Sequence, residues 1–92
     1  MRRLVWTSAA RADIDGILEY YEHVDPRVGL LLVDRVEASA EGLRRHDTGR
    51  PGRIAGTREK SVAKTRHVLV YEIHADEVIV FRVAHTSQNW PG

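Results

Sequence analysis

Arg82, His85, Ser87, Gln88 and Trp90 lie close together near the end of the chain, directly after a run of branched apolar residues. Each type brings a definite chemistry. An arginine fork pairs with phosphate or carboxylate, a histidine moves protons near neutral pH, and a tryptophan stacks on a base. The same residues have plainer uses: a snorkelling surface arginine, a structural imidazole, and an indole that covers the sheet.

Other chemistries find no support in the residue pattern. The chain has no cysteine, so disulfides and thiolate metal sites are excluded. His23, His46, His67, His74 and His85 show no ligand spacing, and neither metal nor cofactor is expected. GRPGRIAG lacks the Gly-Lys-Ser/Thr ending of a phosphate loop, and no G-x-S-x-G elbow occurs.

Charge is unevenly distributed. Residues 8–41 hold eight acids against three arginines, a local balance of −5, and residues 44–66 hold eight cations against Asp47 and Glu59, a balance of +6. The second stretch includes Arg58, Lys60, Lys64 and Arg66, which could face nucleic acid or an acidic protein, or simply solvate a surface. The length of 92 residues predicts a single domain over 1–92. No apolar run approaches a membrane span or the core of a signal peptide, and a cytoplasmic protein without membrane contact is expected.

The elements that must position these residues are readable. Leu4–Trp6 predicts an opening strand, followed by a helix capped by Thr7 or Ser8. Its apolar stripe is Ala10, Ile14, Ile17, Leu18 and Tyr21, with Asp13, Glu19 and Glu22 outside it. Gly16, a weak helix former, suggests close packing there. Asp25 and Pro26 open a second helix with Val28, Leu32, Val36, Ser39 and Leu43 along one face. Residues 46–56, with three glycines and a proline, read as a loop.

The period then changes to two. Strands are predicted at Arg58–Val62, His67–Ile73 and Val78–Ala84, the last pair joined by a short hairpin. Strict alternation turns Ile79, Phe81 and Val83 toward the helices, and Val78, Val80, Arg82 and Ala84 away from them. The expected fold is α+β: a small, twisted, mainly antiparallel sheet with an N-terminal strand and a helical hairpin packed on one face.

Three stretches, WTSAARADIDGILEYY, GTREKSV and VLVYEIHADEVIVFRVAHTSQNW, resemble the RelE/ParE family of bacterial type II toxins over nearly the whole chain. The resemblance implies the same fold and a growth-inhibiting toxin neutralised by a cognate antitoxin. One branch of that family cleaves mRNA on the ribosome, and the other inhibits DNA gyrase. For the nuclease branch the resemblance points to His85 as catalytic residue with Arg82 and Arg58, acting without a metal. Lys60, Lys64, Arg66 and Trp90 are candidates for target or nucleic-acid binding. The nuclease branch, however, carries cations where this chain has Glu59, Ser61 and Val68. That departure favours the ParE-like branch, with gyrase as partner rather than ribosome and mRNA.

Overall fold

The computed structural model describes residues 1–88. The elements run β1 (Arg3–Trp6), α1 (Ser8–Glu22), α2 (Pro26–Gly42), β2 (Arg50–Pro51), β3 (Arg58–Ser61), β4 (His67–Ile73) and β5 (Glu77–His85). They form a five-stranded sheet in the order β1-β5-β4-β3-β2. Only β1 runs parallel to its neighbour, β5; the other pairs are antiparallel. The expected α+β architecture is present, with one addition. Arg50–Pro51, inside the predicted loop, pairs with Arg58 and Glu59 as a two-residue edge strand.

Local chemistry sets the helix ends. The Thr7 hydroxyl accepts from the Ala10 N–H at 3.1 Å, and Asp25 accepts from the Arg27 N–H at 3.1 Å. Both satisfy amides that an N-terminus leaves unpaired, and Pro26 follows Asp25 where no amide is needed.

The core lies between the hairpin and one sheet face. Ala10 and Ile17 from α1, Val33, Val36 and Ala40 from α2, and Leu43 just beyond it meet Leu69, Tyr71, Val78, Val80 and Val83. On α2 the buried row is Gly29, Val33, Val36 and Ala40, rotated from the predicted stripe, and Val28 is exposed. The rotation follows from Gly29. A Cβ there would stand 2.9 Å from the Tyr21 Cβ, so this is where the helices approach. A methyl group on Gly16, in contrast, would meet nothing within 4 Å, and the expected close packing does not occur there.

The predicted faces of β5 also need correction. Val78 and Val80 belong to the core with Val83, and Ile79 and Phe81 are only half-buried. The cause is an irregularity in the ladder: Val70 pairs with Arg82, and the next residue, Tyr71, pairs with Val80. Phe81 is the extra residue of a β-bulge, which reverses the alternation that a straight strand would keep.

A second polar cluster ties the loop after α2 to the sheet. The buried Tyr71 hydroxyl donates to Asp47 Oδ1 at 2.5 Å, and Arg58 Nη2 donates to the Gly49 carbonyl at 2.8 Å. Arg58 Nε lies 2.7 Å from Asp47 Oδ2 as an ion pair, although its N–H is not aimed to form a hydrogen bond. Burial and the Asp47 contact push the Tyr71 hydroxyl up to about 12. Burial alone would raise Asp47, but the bonds from Tyr71 and Gly49 and the adjacent Arg58 guanidinium outweigh it and hold the carboxyl below its ordinary value.

Two glycine substitutions separate these environments. Gly16→Ala should stabilise the fold by about 1 kcal/mol, because the helix gains and nothing is displaced. Gly49→Ala places a methyl 2.0 Å from the Tyr71 hydroxyl and 2.6 Å from the Glu59 carbonyl. It should cost about 2 kcal/mol or more by overpacking. Denaturant unfolding of both variants measures the contrast.

Candidate functional site

β1 ends at Trp6, opposite Val80, and among the described residues no strand continues beside the rest of β5 on that side. The start of α1 takes over. The Thr7 N–H donates to the Val80 carbonyl at 3.1 Å, and the Thr7 hydroxyl donates to the Phe81 carbonyl at 2.8 Å. Asp13, nearly two turns further along α1, accepts from the Val83 N–H at 2.8 Å. Its two oxygens also take both arms of Arg82, Nε at 2.8 Å and Nη2 at 3.0 Å. The arginine expected to contact an external anion thus holds an internal carboxylate, which raises its pKa further. Asp13, placed by its spacing outside the helix stripe, is the residue that organises this end of the sheet.

Past the bulge, the helix-facing row continues through Val83 to His85, which pairs with His67 of β4. The two imidazoles meet edge to face, with centroids 5.1 Å apart. The Ser87 N–H donates to His85 Nδ1 at 3.1 Å, and the Ser87 hydroxyl lies 2.6 Å from the same nitrogen. When neutral, His85 therefore carries its proton on Nε2. Gln88 folds back so that its Oε1 accepts from the His85 N–H at 2.7 Å. These residues and Gly16, Ile17, Tyr20 and Tyr21 line a cleft of roughly 510 Å³. Gly16 leaves room for it.

His67 is 8% exposed, and its buried Nδ1 has no hydrogen-bond partner among the described residues. Burial lowers its pKa, His85 lowers it further, and Asp13 opposes the shift. His67 was not a candidate from sequence, because only its pairing with His85 brings it to the cleft.

The proposed catalytic set is not gathered into one place. Arg58 pairs with Tyr71 and His85 with His67. Four residues of β4 therefore separate them, roughly 13 Å at the strand rise. Arg82 reaches Asp13 at the rim of the His85 cleft, and both arginines are held by carboxylates. The positions that depart from the nuclease pattern do come together: Ser61 pairs with Val68, and Glu59 is the neighbour of Val70. Glu59 is 2% exposed. It accepts from the Arg53 N–H at 2.7 Å and lies 3.5 Å from Arg50 Nη2.

Lys60 and Lys64 share a different groove, between α2 and the β3–β4 turn. Arg66 is the last residue of that turn and is exposed, and Trp90 falls outside the described residues. Among the described residues, no helix is long and apolar enough to cross a membrane.

The helical hairpin and mixed sheet agree with the fold that the resemblance to RelE/ParE toxins implies. The chain belongs to the family described as "ParE toxin of type II toxin-antitoxin system, parDE", whose model matches residues 4–90. It is 35% identical over 91 residues to "Putative toxin Y4kP" of Sinorhizobium fredii, covering 98% of this chain and 94% of that one. The fold is similar to that in the chromosomal ParDE toxin-antitoxin system of P. aeruginosa, with a TM-score of 0.83 at 24% identity over 92% of this chain and 96% of that one. It is also similar to a chain of the toxin-antitoxin complex RelBE2 of Mycobacterium tuberculosis, with a TM-score of 0.59 at 24% identity over 95% and 93%. YafQ of E. coli matches with a TM-score of 0.64 at 14% identity over 95% and 96%.

The imidazole pair predicts a pH dependence. His67 has a folded pKa below its unfolded value, so the unfolded chain binds the proton more tightly. Stability should be flat above about pH 7 and fall as pH drops through the ordinary histidine range near 6.5. His67→Phe should flatten that slope in urea midpoints measured from pH 7.5 to 5.5. At the other end of the cleft, Asp13→Ala should cost about 2–3 kcal/mol, because it strands a backbone amide and a guanidinium together. Arg82→Ala should cost less, since Asp13 keeps the Val83 N–H.

Proposed function

We propose that this toxin acts by protein contact with DNA gyrase, without cutting RNA, and that a cognate antitoxin neutralises it. The observation that carries this reading is the fate of the two candidate catalytic arginines. Arg82 is held by Asp13 and Arg58 by Asp47. RNA cleavage by 2′-hydroxyl attack requires a base, an acid and cations free to stabilise a charged phosphorane. Here a carboxylate stands where each phosphate oxygen would have to bind.

The higher structural similarity to the ParDE chain than to the RelBE2 and YafQ chains supports the same choice. An antitoxin partner is supported by solved relatives described as toxin-antitoxin systems and complexes. The RelE-like reading, mRNA cleavage on the ribosome, retains one favourable feature. His85 lines an open cleft with its neutral-state proton on Nε2.

Purified chain should block supercoiling by gyrase and leave translated mRNA intact in primer extension run in parallel. His85→Ala should leave gyrase inhibition within about twofold of the parent. New 5′ ends on mRNA that disappear in His85→Ala would overturn the proposal in favour of the nuclease.

A further inference from the structure

Three cations without an ion-pair partner among the described residues meet in one groove. Arg35 on α2 faces Lys60 of β3 and Lys64 of the β3–β4 turn across a groove of roughly 560 Å³, with His46, Ser39, Ser61 and Thr48 also on its walls. Among the described residues, no carboxylate lines it. Helical geometry explains this: Asp34, Glu37 and Glu41 fall on the other flank of α2, away from Arg35 and Ser39. Asp47, the nearest acid in the following loop, is taken by Arg58 and Tyr71. Ala38, Gly42 and Ala63 keep the floor low, so three cations stand over a shallow trough without a counter-charge.

Lys64 adds an independent observation. Its φ is +61°, the left-handed region that glycine or asparagine adopts most readily. Arg35 Nη1 donates to the carbonyl of this same residue at 3.1 Å. A lysine is kept where the backbone favours a smaller side chain, and strain of that kind accumulates at functional positions. Arg35 on the helix and Lys60 and Lys64 on the strand and turn meet across the trough, so the three can address one anion lying in it. Hydroxyl donors beside them suit the oxygens of a phosphodiester.

We propose that Arg35, Lys60 and Lys64 form a binding groove for the phosphodiester backbone of nucleic acid, without base specificity. The inference deepens the gyrase reading, since gyrase acts on DNA, but it is tested without gyrase, so each can fail alone. Labelled 20-mer DNA duplex and single-stranded RNA are titrated with the purified chain by fluorescence anisotropy between 25 and 200 mM salt. Three phosphate contacts predict a slope of log K against log salt of about −2 to −3 on the duplex. Lys60→Gln/Lys64→Gln should weaken binding tenfold or more and flatten the slope. Lys64→Asn keeps the turn conformation, so it should unfold no earlier than the parent yet bind severalfold more weakly, which a structural role would not produce. Arg45→Gln, outside the groove, should bind like the parent. Tighter binding to duplex than to RNA would assign the groove to DNA, and the reverse would assign it to RNA; either supports the proposal. No binding at 25 mM salt, equal loss in Arg45→Gln, or equal displacement by polyglutamate would overturn it.

Discussion

The carboxylate of Asp13 holds together the part of the molecule on which the rest depends. β5 is a central strand for its first half, flanked by β1 and β4, and would become an open edge once β1 stops. An unpaired amide at that edge would be costly, and Asp13 removes the cost by accepting from Val83 at 2.8 Å. The same group binds Arg82, so the charge of the carboxylate is balanced where it meets the sheet. Helix and strand are fixed to one another at the point where the bulge at Phe81 changes the direction of every later side chain. His85 faces α1 as a result.

This arrangement explains which features were legible in the sequence. Apolar periodicity placed both helices and the three long strands, and the Thr7 and Asp25 caps marked the helix starts. Such signals are local, and they survive whatever the tertiary context does. The faces of β5 were not legible, because one extra residue in the ladder reverses the alternation and nothing in VIVFRVAH marks it. The phase of α2 was missed because Gly29, not the larger Val28, lies at the helix contact. β2, only two residues long and containing a proline, has no period to detect.

The candidate site was readable as a set of residue types but not as a set of neighbours. His85 stands at the end of β5 as expected, yet its partners are His67 and Ser87 rather than Arg58. Asp13 and Asp47 neutralise two arginines from sequence distances of 69 and 11 residues, and no motif announces such pairs. The departures at Glu59, Ser61 and Val68 were more informative than the matches. Glu59 is buried against Arg50 and Arg53, so a residue that looked like a missing cation is the anion of a structural ion cluster.

The division of cations carries the functional argument furthest. A catalytic cation must change its partner as charge develops, and one already bonded to a fixed carboxylate has to break that bond first. Arg82 and Arg58 are of this second kind. Arg35, Lys60 and Lys64 have no ion-pair partner among the described residues, and they meet in one groove. A surface so arranged gains free energy when a polyanion releases its counterions, which is recognition, and it requires no proton transfer. The β3–β4 turn and the end of β5 lie at the same end of the sheet, where the Thr86 N–H donates to the Arg66 carbonyl at 2.8 Å, but His85 lines the cleft against α1 and Arg35, Lys60 and Lys64 line the groove against α2. A nuclease would need the two together; a toxin that works by occupying its target does not.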